Sequence, residues 1–360
     1  MSTARRVSLC ALVIGALGVA ALPAGAAQAA PPDPRVERVS VAADGTEADG
    51  ASGGASVSGD GRYVAFRSDA ENLTEGHQGP YDYGFVRDER TGEVTRLKNS
   101  MGAPVISDDG RYAAHTGWGT HGINVFLTDL ATGEIKQIDG RGFKVSASSP
   151  DISADGRYIA YDLQPQHPGD PSRVEVYDRE SDTREVVSDG PPDSARDMVD
   201  PSISADGRHV AYEDKGTGQV WLRDRTTGSL TRVDDGTPST LTQVSGRTVA
   251  LNSADGGYVR DLRTGKVRRI AGGNVQAVSP DGRQLLYGDG RLNLVLRDLR
   301  SGHEVTVGHG GATAGAIGDK GRAVVYGSDD TDVVPGDTNG LRDVFKWSRD
   351  TSERIGGTRS

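Results

Sequence analysis

The stretch DTDVVPGDTNGLRDVF, beginning at Asp330, gathers the side chains of this sequence best suited to chemistry. Asp332, Asp337, Asn339 and Asp343 offer hard oxygen ligands around a tight glycine turn, the donor set that calcium takes. The spacing departs from an EF-hand, which wants glycine at the sixth loop position and glutamate at the twelfth. Asp and Asn side chains also hydrogen-bond back to their own backbone, which is the plainer structural role for the same residues. An earlier stretch, ENLTEGHQGPYDYGF from Glu71, aligns with this one without gaps. It places His77, Gly79 and Tyr83 where Asp337, Asn339 and Asp343 stand, so any calcium ion would be confined to the later copy.

Three further constellations invite a chemical reading. In HTGWGTHG, Trp118 sits between two glycines, off any strand pattern, with His115 and His121 on either side. Two histidines at that spacing could approach one metal, but zinc normally needs three or four ligands and no third is evident. His77, Tyr81, Tyr83, His115, Trp118 and His121 are therefore read as candidates for contacting a ligand. GASGG, centred on Ser52, matches the G-x-S-x-G of a hydrolase elbow, yet that motif needs a strand before it and a helix after it. Here it lies in a glycine-rich connector. Carboxylates for glycosidase chemistry are plentiful, but no pair stands out in sequence. No glycine loop of the phosphate-cradling kind precedes a helix.

The elements that must carry these residues are announced by a repeat. ISADGRYIAY from Ile152 returns as ISADGRHVAY from Ile203, and Gly-Arg recurs at Gly61, Gly110, Gly156, Gly207, Gly246, Gly282 and Gly321. A period of 36 to 51 residues belongs to propeller blades or solenoids. In most copies Asp-Gly stands between a short strand and an alternating apolar run, a strong hairpin signal. A second glycine turn follows in VFLTDLATGEIKQI, VWLRDRTTGSLTRV and LVLRDLRSGHEVTV, giving four strands per copy. No segment has a convincing helical period. The fold class is therefore all-β: a seven-bladed β-propeller of four-stranded antiparallel blades.

The phrases SADGRYIAYD and SPDGRQLLYG and the RDL-x-TG turns resemble the TolB-type propeller repeat, related to WD-repeat proteins. The resemblance covers nearly the whole chain after its first 30 residues. It implies architecture rather than activity, since such propellers serve translocation assemblies, peptidases, lyases and plain binding proteins.

Residues 1–30 read as a secretory signal peptide: Arg5 and Arg6, an apolar run from Leu9 to Leu22, and a small-residue exit near Ala29. That run is too short for a membrane span, and nothing later is as apolar. The expected product is exported, either extracellular or in the cell envelope. The one cysteine, Cys10, lies in this segment, leaving no disulfide afterwards. Without Arg5 and Arg6 the net charge falls from −10 to −12, which argues against nucleic acid and anionic membranes as partners. Residues 31–57 are expected to hold a strand (from Val36) and a connector that closes the ring, by exchange or as a fifth strand beside SERIGG from Ser352. Residues 58–360 form the propeller.

Turns of the two glycine types emerge on one face, where each Gly-Arg arginine is expected to pair with an aspartate of the second turn: Asp88, Asp129, Asp178, Asp224, Asp261 or Asp298. The opposite face carries connections of unequal length, as binding loops do. Trp221 and Trp347 are expected to pack between blades. The reading that follows is a monomeric, non-catalytic binding or scaffold propeller engaging a protein, peptide or saccharide on its variable face. The alternative is a hydrolase or lyase acting in the central funnel.

Overall fold

A computed structural model describes residues 36–76, 82–119, 122–140, 145–165, 171–188 and 197–349. These residues form seven antiparallel sheets, six of them four-stranded and following chain order from inner to outer strand. Blade 3 is representative, with strands Val145–Ile152, Tyr158–Pro165, Arg173–Asp178 and Thr183–Val186. The single 3₁₀ turn Asp319–Gly321 is the only helical segment among the described residues.

The repeated phrase S-x-D-G-R is a self-contained turn. Ser153 Oγ donates to Asp155 (2.7 Å) and accepts from Tyr158 N, while the same carboxylate accepts from Arg157 N. Gly156 then takes a φ of 64°, which a side chain would strain. Gly156 also lies under the Tyr112 ring of the preceding blade, 2.3 Å from where its Cβ would stand. Gly110 and Gly207 meet Tyr63 and Tyr158 in the same way. Each of these tyrosines thus caps the next blade's turn, and the glycine is required twice, for backbone and for contact. Arg111 of the same blade and Arg179 of the next lie 5.0 and 4.3 Å from the Tyr112 ring.

The core lies between blades. One buried cluster joins Val125 and Leu127 of blade 2 to Ile159, Tyr161 and Tyr177 of blade 3. Trp347 is buried and Trp221 half-buried against such clusters. The innermost strands are also stitched to one another near their bulges. Ser56 Oγ accepts from Ile106 N (3.2 Å), Asp151 Oδ2 from Ile203 N (2.8 Å) and Ser202 Oγ from Val244 N (3.0 Å). Gln243 Oε1 accepts from Val278 N and Gln276 Oε1 from Ala312 N. Each bulge shifts the register of its strand and re-aims the side chains beside it, here toward the neighbouring blade.

Blade 7 departs from the pattern. Its inner segment is glycine-rich and makes only isolated bridges, Gly311 to Gly327 and Ile317 to Val324. Its outer place is taken by Val36–Arg38, paired antiparallel with Asp343–Ser348 in the register Val36–Trp347 to Arg38–Phe345. The N-terminal strand therefore closes the ring. The segment from Ser352 lies outside the described residues.

Candidate functional site

On the uniform face, the expected Arg–Asp pairs form in blades 1 to 4. Arg62–Asp88, Arg111–Asp129, Arg157–Asp178 and Arg208–Asp224 each engage Nε and one terminal nitrogen, at 2.5 to 3.2 Å. These guanidinium contacts hold the Asp88 and Asp178 carboxyls down to about 2. In blades 5 and 6 the expectation fails, and in blade 7 Ser348 stands at the aspartate's place. Asp261 is satisfied by Thr264 and its own turn, Asp298 accepts from Gln284 (2.8 Å), and Arg322 approaches Asp319 of its own turn (4.0 Å). What all six aspartates share is the turn itself. Each accepts a backbone N–H two residues on, as Asp178 does from Glu180 and Asp261 from Arg263.

The inner strands enclose a central channel lined by small and apolar residues, among them Val57, Ile106, Ala154, Ile203, Ala205 and Ile317. Two carboxylates interrupt this lining. Asp151 is bound by Ser202 Oγ, Ile203 N and Ile152 N, bonds that oppose the upward push of burial. Asp108 is pushed up to about 7, first by burial and then by Asp319, Asp151 and Asp109. Asp108 and Asp319 flank Gly59, with Asp108 Cβ and Asp319 Cγ each within 3.3 Å of where a Cβ on Gly59 would stand.

On the variable face, the long connections of blades 1 and 7 meet the N-terminal segment in a cross-linked lip. Glu47, Asp337 and Asp343 bring carboxylate oxygens within 4.8 Å of one another. The Arg38 guanidinium stands among them: it bonds Glu47, lies 3.2 Å from Asp343 Oδ2 and 3.6 Å from Asp337 Oδ2. Ser40 Oγ donates to Asp343 Oδ1 (2.6 Å) and accepts from Val344 N. Asn339 gives its amide N–H to Ala48 O and its carbonyl accepts from Leu341 N, so it turns away from the cluster. Asp332 is exposed and apart. Of the four sequence-derived calcium ligands the structure thus unites two, adds Glu47, and supplies a cation from the chain itself.

Of the ligand-face candidates, Trp118 is 62% exposed near the end of the strand Tyr112–Gly119. His115 lies inside the same blade, stacked on Phe126 (5.8 Å) with Nε2 3.1 Å from Thr128 Oγ1, and burial pushes it down to about 4. It faces the core because it alternates with Thr116 and Trp118 along one strand. Tyr83 is half-buried beneath Arg96. His77, Tyr81 and His121 lie outside the described residues. Ser52 begins the inner strand of blade 1, buried, with Oγ donating to Ser68 Oγ (2.8 Å). No helix follows it.

A groove between blades 4 and 5 on the variable face, of about 630 Å³, was not legible in the sequence. Glu213 lines it. Burial pushes this carboxyl up to about 7, helped by the charge of Asp200 and opposed by the Leu241 N–H that one oxygen accepts. Asp200 has a φ of 49° and accepts from Ser149 Oγ (2.8 Å), itself at φ 51° in the matching bulge of blade 3. Gly54 fills that position in blade 1, with a φ of 55°. Among the described residues, the non-glycine residues there mark the one place where two adjoining bulges carry backbone strain.

Fold and site together define a seven-bladed β-propeller whose two faces differ in regularity. No family model matches the sequence, and comparison with curated proteins finds no match. Solved structures with the same fold include an oligogalacturonate lyase in complex with manganese, TM-score 0.62 and 12% identical over 90% of this chain and 96% of that one. Another is the oligogalacturonate lyase of Vibrio parahaemolyticus, TM-score 0.63 and 13% identical, covering 89% and 94%. A prolyl endopeptidase is similar over 87% of this chain but 49% of its own, with TM-score 0.55 and 14% identity. At such identities the likeness is one of fold, and enzymes share it.

Proposed function

We propose that this is an exported, non-catalytic binding or scaffold propeller that engages a protein, peptide or saccharide on its variable face. The carrying observation is where exposed apolar bulk lies. The large hydrophobic side chains that stand exposed among the described residues are Trp118, Val186, Leu292 and Leu341. They belong to blades 2, 3, 6 and 7, and all sit at strand ends or loops of the variable face. Single exposed apolar residues are ordinary, but confinement of all four to one face of a regular ring is what a contact surface requires. The small, apolar lining of the channel supports the same reading. Exposed aromatic and aliphatic anchors at strand ends and in loops of a rigid ring would carry the affinity.

The test is an untargeted pulldown from the envelope and medium of the producing cell, comparing wild type with a Trp118→Ala, Leu341→Ser variant and with Arg111→Ala on the uniform face. The reading expects partners held by wild type and by Arg111→Ala and lost from the double variant. Equal retention by all three overturns it.

A second reading, a hydrolase or lyase, is favoured by one observation. A carboxyl held near 7 beside a second carboxylate, as Glu213 is beside Asp200, is the pairing an acid–base reaction uses. The tie from Glu213 to Leu241 N gives the same carboxyl a structural task. Turnover of a carbohydrate or peptide panel that Glu213→Gln abolishes without loss of melting temperature would decide for the enzyme.

A further inference from the structure

The uniform face is not uniform at blades 5 and 6. In blades 1 to 4 each Gly-Arg guanidinium is held by the aspartate of its own blade. In blade 5 the Asp-Gly turn is shortened to Ser245-Gly246-Arg247, and Asp261 is occupied by Thr264 Oγ1 (2.8 Å) and two backbone N–H groups. In blade 6 Gln284 Nε2 takes Asp298 (2.8 Å). Arg247 and Arg283 therefore carry no ion pair among the described residues, while both line one concavity of about 590 Å³. Arg263, Lys266, Arg268 and Arg300 line it too.

Six cationic side chains thus surround a hollow whose lining holds two carboxylates, in a chain of net charge −10. Both carboxylates are already engaged: Asp261 as above, and Asp281 by Ser279 Oγ (2.7 Å) and Arg283 N (3.1 Å). Positive charge concentrated against the sign of the whole molecule, with guanidinium forks left unoccupied, is the arrangement that receives an oxyanion. The volume is that of a small-molecule site.

We propose that the concavity between blades 5 and 6 binds the phosphate, sulfate or carboxylate groups of a small anionic ligand, with Arg247 and Arg283 as its principal donors. The site lies on the face opposite the proposed contact surface and is independent of it.

The experiment is isothermal titration of the full chain with inorganic phosphate, sulfate and citrate in separate runs, at constant ionic strength with chloride as the balancing ion. At least one anion should saturate a single class of site, and which one does identifies the group recognised. Arg247→Gln with Arg283→Gln should weaken that affinity at least tenfold. Arg111→Gln, which removes a paired arginine, should change it less than twofold. Because the side chains of Arg247 and Arg283 make no ion pair or hydrogen bond among the described residues, the double variant should melt within about 2 °C of wild type; should it unfold, Arg283→Gln alone carries the same expectation. No saturation by any of the three, a loss under tenfold in the variant, or an equal loss in Arg111→Gln overturns the proposal.

Discussion

Asp178 and Arg157 form a two-bond pair, yet their removal should cost unequal amounts. Arg157 is half-exposed and pairs with two carboxylates, Asp178 and Glu180 (2.8 Å), ion pairs open enough to water that each contributes little. Asp178 also accepts Glu180 N and so fixes the turn into the outer strand. Asp178→Ala should therefore destabilise by about 1 kcal/mol, the worth of a lost turn hydrogen bond, and Arg157→Ala by clearly less. Asp261→Ala, which breaks no ion pair, should resemble Asp178→Ala. Urea unfolding of the three variants checks this, and a larger loss in Arg157→Ala would show that the pair outranks the turn. Acid should tell the same story. The carboxyl of Asp178 is held to about 2, below its unfolded value near 3.9, so its contribution is whole above pH 4 and fades as pH falls toward 2. Without Arg157 that fading should begin at higher pH.

At the scale of elements, closure depends on a three-residue strand whose partner lies about 300 positions away in sequence. Arg38, its side chain only 8% exposed, stands between Glu47, Asp337 and Asp343 and offsets part of their charge at the point where that strand enters blade 7. Arg38→Ala leaves three carboxylates facing one another and should cost about 3 kcal/mol, the usual penalty for removing one partner of a buried charge cluster. The vacated space has the ligands of a weak calcium site. Millimolar calcium should therefore raise the melting temperature of Arg38→Ala and leave wild type unchanged; an equal rise in wild type would show that an ion and Arg38 coexist. The repeat, the turns and the strand count were legible because each blade restates them locally. A ring-closing strand from Val36 was expected, but whether it would enter by exchange or as a fifth strand, and in what register, was not legible, since Val36–Arg38 gives no local sign of its partner. The calcium reading grouped Asp337 and Asp343 but did not include Glu47 and Arg38, which the structure sets beside them from the other end of the chain. His115 was read from its loop-like surroundings, although the alternation that buries it was present in YAAHTGWG.

At the scale of the whole molecule, the channel belongs to all seven blades, and its charge should govern how stability responds to pH. Asp108 is pushed up to about 7 because the ring buries it beside Asp319, Asp151 and Asp109. In the unfolded chain the same carboxyl titrates near 3.9. Between about pH 4 and 7 the folded protein therefore binds more protons than the unfolded chain, and stability falls as pH rises through that window. Glu213, also pushed up to about 7, acts in the same direction from the variable face. Wild type should consequently melt several degrees lower at pH 8 than at pH 5, the opposite of what Asp88 and Asp178 impose below pH 4. Asp108→Asn should narrow the gap by stabilising the protein at pH 8 while changing little at pH 5, and Asp108→Asn with Glu213→Gln should narrow it further. Melting curves at the two pH values measure both effects. A gap untouched by Asp108→Asn would mean that Asp108 is ionised in the folded ring, with its repulsion of Asp319 relieved by solvent in the channel.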